Sequence, residues 1–301
     1  MKLESFCSYK ERFIAALQKE QNLTAHTIRA YESDVRQFIE FWEKVETQEQ
    51  RMCTIHAIAE RFFKMLQHKK SNVASIARKV SCLRSYERFI AHTARISLQL
   101  NLVRPTVAKK VPRCLSLDDV FYLLDTLPAE KMETAFPARD KAIFELLYAT
   151  GILCSELVTV RIKDIDFSKK TITIHNASKK ERVVVFGSAC EQKLLHYICK
   201  ERATIKHQAE CLFLNYRHEP LTTRSVQRII GAFSNYLDKK CRITPHTLRH
   251  SYAAHMVHKG ADLATLKELL GHRSIGTTAK YSRVATEPLL PKKEFERINE
   301  L

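Results

Sequence analysis

Glycine and proline are scarce, six and eight residues in a chain of 301. That scarcity excludes a low-complexity or loop-dominated chain. Long apolar runs are missing too: no stretch approaches the roughly 18 apolar residues that a spanning helix needs. The opening MKLESFCSYKERF lacks the apolar core of a signal peptide. The expectation is a cytoplasmic protein with no membrane partner. Nine cysteines are present, but none forms a CxxC pair. An odd, dispersed set excludes a disulfide framework and zinc-finger spacing. Acidic residues are nearly absent from 51–110, where Glu60 and Glu87 face thirteen lysines and arginines. Over the whole chain 50 Lys+Arg outnumber 33 Asp+Glu, a net charge of +17. A basic excess so concentrated points to a polyanion, with nucleic acid the default partner. A merely solvated helical surface is the bland alternative.

What is present in quantity is helical periodicity. In LTAHTIRAYESDVRQFIEFW (23–42), Thr24 is placed to cap, and Ile28, Tyr31, Val35, Phe38 and Trp42 recur at three- and four-residue steps. Residues 74–90 repeat the design with Ile76, Val80, Leu83, Tyr86 and Ile90, while Arg78, Lys79, Arg84 and Arg88 fall off the stripe. Residues 1–100 therefore read as a helical domain with a basic outer surface. Pro105 and Pro112 break the pattern in NLVRPTVAKKVPRC (101–114), a basic linker carrying Lys109 and Lys110. A second domain, 115–301, opens with Ser116 as a cap. A helix over 138–149 stops at Gly151, and TITIH and RVVVF form a hairpin across a polar turn. Helices near 189–204, 223–238, 246–259 and 262–270 complete it. The class is mainly α with a small antiparallel β-hairpin or sheet in the C-terminal domain.

Chemistry concentrates near the end. In TPHTLRHSYAAHMVHKG, helical spacing puts His246, Arg249 and His250 on one face. Three readings stay open for that face: a zinc pair at i, i+4, a plain polar surface, or an anion site with a guanidinium fork and a proton carrier. In GHRSIGTTAKYSRV, His272 precedes Tyr281 by nine residues, and nothing around the tyrosine looks like core. A tyrosine is a competent covalent nucleophile once arginines polarise a phosphate beside it.

RDKAIFELLYATG, KKERVVVF, TPHTLRHSYAAH, GADLATLKELLGH and TTAKYSRVAT occur in this order. Together with the two basic helices, they make nearly the whole chain resemble the tyrosine recombinase, or phage integrase, family, and within it the Xer recombinases. The resemblance implies a two-domain architecture whose N-terminal domain clamps DNA, here through Arg29, Arg78, Lys79, Arg84, Arg88, Lys109 and Lys110. It implies that Tyr281 attacks a scissile phosphate, forming a 3′-phosphotyrosyl bond and releasing a 5′-hydroxyl. Arg249 then clamps the phosphate, His246 and His272 assist, and neither metal nor nucleotide cofactor is required. The implied partners are a double-stranded recombination site and a homo- or heterotetramer on DNA, in the second case with a paralogous recombinase. Docking of the terminal segment 285–301 into a neighbouring subunit is implied as well.

Two positions depart from the family's pattern. ATGILCSEL has Leu153 where the resemblance places an arginine. Alignment on Lys180-Glu181-Arg182 puts Ala177 where it places a lysine. Lys179, two residues along, shares a strand face with that position at a displacement of roughly 7 Å, and is the replacement candidate. The two resulting expectations are a recombinase, and a DNA-binding relative that cuts weakly or not at all beside an active paralogue.

Overall fold

The computed structural model describes residues 2–20, 23–49, 53–108, 112–175, 181–203, 210–237, 242–271 and 275–281. The chain divides into two compact units, Met1–Lys109 and Lys110–Leu301. Among the described residues no helix is long and apolar enough to cross a membrane.

The first unit contains helices α1 (Leu3–Ser8), α2 (Lys10–Lys19), α3 (Ala25–Glu49), α4 (Ile55–His68) and α5 (Val73–Ala94). Polar side chains start three of them. Thr24, Thr54 and Asn72 accept from the N–H groups of Thr27, Ala57 and Ala74, satisfying donors that a helix start leaves unpaired. The stripes meet in an aromatic centre. Phe6 lies edge-on to Phe38 at 5.6 Å and to Tyr86 at 4.8 Å, and the Tyr86 hydroxyl donates to the Phe6 carbonyl at 2.6 Å. The chain does not leave this core at residue 100. Leu98, Leu100 and Leu102 are buried in it, the Leu100 N–H donates to Glu87 at 2.8 Å, and Arg84 donates to the Leu102 carbonyl. The first residues expected as linker are thus part of the packed unit. Apolar side chains at alternate positions secure them without any helical period.

The second unit opens with α6 (Leu117–Phe121) and is built around α7 (Pro137–Thr150), against which α9 (Ser188–Tyr197) packs. Nearly all of α7 is buried, including Ile143, Phe144, Leu146 and Leu147. A proline at its first turn and Gly151 in the left-handed region (φ +60°) fix its ends. After the short α8 (Cys154–Leu157) comes an antiparallel sheet in the order β1 (Ile165–Asp166), β2 (Thr171–His175), β3 (Glu181–Val185). Ile172 pairs with Val184, and Ile172, Ile174 and Val184 face the core, while Val183 and Val185 stay exposed. Strand β1 goes beyond the expected hairpin; two residues carry no alternation to detect. Then follow α10 (Thr223–Ala232), α11 (Pro245–His258), α12 (Leu263–Leu270) and α13 (Ile275–Thr278). Thr244 caps α11 through the Thr247 N–H at 3.0 Å, and Asp262 caps α12 through Ala264 and Thr265.

Candidate active site

Helix α11 presents His246, Arg249 and His250 along one face, and all three line a cavity of about 410 Å³. Its other walls come from Leu153 and Glu156 of α8 and its cap, Leu270 and Gly271 at the end of α12, and Thr277, Lys280 and Tyr281.

Arg249 is buried and held by main chain. One terminal nitrogen donates to the Gly151 carbonyl at 2.5 Å and the other to the Leu270 carbonyl at 2.6 Å. Those carbonyls belong to the C-terminal ends of α7 and α12, where the helix dipole is negative. Both helices end in a left-handed glycine, Gly151 and Gly271, and this turns the last carbonyls toward the guanidinium. At 151 the close approach is absolute: a Cβ there would sit 2.6 Å from Tyr252 Cδ1 and 2.9 Å from Leu270 Cδ2. The two contacts use two of the five N–H donors an arginine carries.

Tyr281 corrects the expectation of a tyrosine outside the core. It is fully buried and packs with Tyr252, Ala253, Leu266 and Leu270. The small polar residues around it in sequence say nothing of what a return to α11 brings against it. Its hydroxyl lies 2.7 Å from His250 Nδ1, so a neutral His250 carrying its proton on Nε2 accepts the phenolic hydrogen. Burial pushes the phenol up to about 12, against the opposing charge of Arg249. From the sequence His250 shares a helix face with His246 and Arg249, with a zinc pair, a plain polar surface and an anion site all left open, and it is not among the expected catalytic residues. The signal that marks it is its position four residues after His246 and next to Arg249, on the side that receives the tyrosine.

Leu153 reaches the cavity at the start of α8, where its N–H donates to Glu156 at 2.8 Å. Glu156 is gripped from the other side by Arg182 of β3, in a two-pronged ion pair of 2.6 and 2.8 Å. Burial alone raises the Glu156 carboxyl. The hydrogen bonds from Arg182 and Leu153, and the charges of Arg182 and Arg249, outweigh it and hold the group below the usual carboxylate range. Arg182 also donates to the Leu269 carbonyl at 3.3 Å. It brings a second guanidinium near Arg249, but one already neutralised. His246 is exposed at the rim. Partial burial, then the charges of Arg249 and Lys280, lower its proton affinity. His272, Ala177, Lys179 and the segment 285–301 lie outside the described residues.

In the first unit the basic residues sort into two groups. Arg29, Arg84 and Arg88 are exposed. Lys79 is not: it is 6% exposed, with its ammonium 2.7 Å from Asp34 and 2.8 Å from Gln37. The expectation that Lys79 touches DNA is therefore corrected, because its charge is needed by a carboxylate that would otherwise be buried alone. Arg78 shares the same carboxylate at 2.5 Å and donates to the Ala30 carbonyl at 3.0 Å, with part of its side chain exposed. Lys109 and Lys110 lie outside the described residues.

The phage integrase family matches residues 114–287, and the family's N-terminal SAM-like domain matches residues 11–93. The tyrosine recombinase XerC of Syntrophus aciditrophicus (strain SB) is 35% identical over 294 residues, covering 93% of this chain and 94% of the relative. Among solved structures, lambda integrase bound to a core site superimposes with a TM-score of 0.71 at 17% identity, covering 97% of this chain and 99% of that one. The XerH recombinase bound to its difH substrate gives 0.70 at 20% identity, with 91% and 81% covered. The chain belongs to the phage integrase family. Within that family it is a tyrosine recombinase of the Xer type, with the family's mainly helical two-domain architecture.

Proposed function

We propose that the chain is a cytoplasmic DNA strand transferase in which Tyr281 is the nucleophile, and that it serves chromosome or plasmid dimer resolution or integration. The observation that supports this most is the convergence of Tyr281, His250, His246 and Arg249 on one cavity. In the proposed step the Tyr281 oxygen attacks phosphorus as the phenolic hydrogen passes to His250 Nδ1. The bond from phosphorus to the 5′-oxygen breaks, and the 3′-phosphate remains on the tyrosine. Arg249, already rigid on two carbonyls, meets the non-bridging oxygens without first having to be organised, which is where electrostatic catalysis is strongest. His246 and His272 assist at the rim. Lys179 is the hairpin lysine nearest to the position that Ala177 leaves empty of charge. The ester conserves the energy of the broken bond, so rejoining requires neither nucleotide nor metal.

Exposed Arg29, Arg84 and Arg88 supply the sequence-independent part of DNA affinity, together with Arg78, Lys109 and Lys110. The functional particle is a homo- or heterotetramer on double-stranded DNA, and a paralogous recombinase supplies the second type of subunit in the mixed form. One observation favours a second reading, a DNA-binding partner that leaves cutting to its paralogue: Leu153 puts an apolar side chain on the cavity wall beside Arg249.

Duplexes enriched by the protein from a random-sequence pool, then nicked to prevent religation, separate the two. The recombinase reading expects a covalent protein–DNA adduct from the native chain and none from Tyr281→Phe at similar DNA affinity. Tight binding without adduct, alone and with a paralogue added, supports the partner reading instead.

A further inference from the structure

The cavity holds several cations, and they differ in whether they have a proton to give. Arg249 in the wall, and Arg182 behind Glu156, are guanidinium groups, too basic to release one. Arg249 is engaged with two carbonyls and Arg182 with Glu156. His246 is held below its ordinary 6.5, so at neutral pH its ring is unprotonated and poorly placed to act as an acid. His250 faces the Tyr281 hydroxyl and is engaged with the nucleophile. Glu156 is kept ionised. Lys280 is different. It lines the same cavity, is half-buried, and has no carboxylate paired with it among the described residues. Its ammonium stands 5.0 Å from the centre of the Tyr281 ring, one residue from the nucleophile. Burial and the neighbouring charge of Arg249 lower its proton affinity, with a smaller opposing effect from Cys114. A lysine so placed yields its proton more readily than one in water.

We propose that Lys280 is the proton donor to the departing 5′-oxygen, the task left open by Ala177. The proposal rests on the reading of Tyr281 as nucleophile. As the bond from Tyr281 oxygen to phosphorus forms and the bond from phosphorus to the 5′-oxygen breaks, the Lys280 ammonium gives one proton to that oxygen. A 5′-hydroxyl and a neutral amine result. Rejoining runs the same transfer backward, the amine taking the proton from the attacking hydroxyl. Without this donor the leaving group would be an alkoxide, and general acid assistance of this kind contributes about 10²–10⁴ in rate.

A 5′-bridging phosphorothiolate isolates the step, because a thiolate leaves without a proton. Single-turnover adduct formation is measured on the selected nicked duplex in its oxygen and sulfur forms, for the native chain, Lys280→Met, Lys280→Arg and Tyr281→Phe. The expected pattern is a loss of about 10²–10⁴ for Lys280→Met on the oxygen duplex, and a rate close to native on the sulfur duplex. Lys280→Arg retains the charge but not the transferable proton, so it behaves like Lys280→Met on both. An equal loss for Lys280→Met on the two duplexes overturns the assignment, as does a native rate for Lys280→Arg on the oxygen duplex. Tyr281→Phe gives no adduct on either. Absence of adduct from the native chain on both duplexes overturns the recombinase reading itself and this proposal with it.

Discussion

Leu153→Arg is the substitution whose effect the cavity constrains most. The side chain at 153 lines the cavity beside Arg249, and also a neighbouring opening of about 520 Å³ toward Arg161 and His175. A longer side chain therefore has room without displacing core. The usual penalty for an added buried charge is reduced here, because Glu156 lies against the backbone at 153 and stays ionised. The new guanidinium would line the cavity together with Arg249, so that a bound phosphate meets two cations. Two unit charges at about 4 Å interact by about 4 kcal/mol at an effective dielectric constant of 20. That is about a thousandfold in rate, at the lower end of the 10³–10⁵ credited to arginines in other phosphoryl-transfer enzymes. The expected result is a rise in adduct yield on nicked DNA of about 10³, with a melting temperature near that of the native protein and no adduct when Tyr281→Phe is added. A stable Leu153→Arg protein with unchanged adduct formation would refute the idea that Leu153 limits the site. Adduct formation by the native chain as fast as by the variant would refute it from the other side.

Two further expectations follow from buried polar groups. Asp34→Ala strands the Lys79 ammonium inside the first unit, and loss of one partner of a buried pair costs about 3–5 kcal/mol; chemical denaturation reads this, and a cost under about 1 kcal/mol would mean that Lys79 finds water. In the second unit His255 shares a hydrogen bond of 2.9 Å with the Tyr148 hydroxyl, and burial lowers it to about 4 from an ordinary 6.5. Its folded form binds a proton less readily than its unfolded form, so the stabilisation is complete above pH 6.5 and falls away as the pH drops toward 4, by up to about 3 kcal/mol. Denaturant titrations across that window check it, since His255→Gln should flatten the slope by about one proton; an unchanged slope would assign the acid sensitivity elsewhere.

The long helices were legible in the sequence because amphipathic spacing announces them: Val35, Phe38 and Trp42 point where their period puts them. The inward turn of Lys79 was not read, yet the sequence does hold a clue. Asp34 lies between Tyr31 and Phe38 on the apolar stripe, and a carboxylate there demands a cation from a facing helix. Strand β1 left no mark because two residues have no period. Leu102, inside the segment expected as linker, packs into the first unit's core without helical spacing, so no period announces it. In the site, the resemblance supplied Arg249, His246 and Tyr281. The two-carbonyl grip on Arg249 depends on helix ends that lie 98 and 21 residues away. The union of Glu156 with Arg182 spans 26 positions, and no local pattern predicts either.

The burial of Tyr281 makes its hydroxyl a concealed weapon. With Tyr281 as the proposed nucleophile, a chain that carries such a group through a cell full of DNA is a hazard at every place where no exchange is wanted. Here the ring belongs to a hydrophobic cluster and its hydroxyl to a histidine. Pulling it out exposes an aromatic side chain at about 1.5–3 kcal/mol and breaks a hydrogen bond worth about 1 kcal/mol more. Drawn tyrosines are then roughly one in 10² to 10³ at rest. Chance encounters with DNA are correspondingly harmless, and only a surface that repays the withdrawal, or a phosphate threaded into the cavity itself, releases the blade.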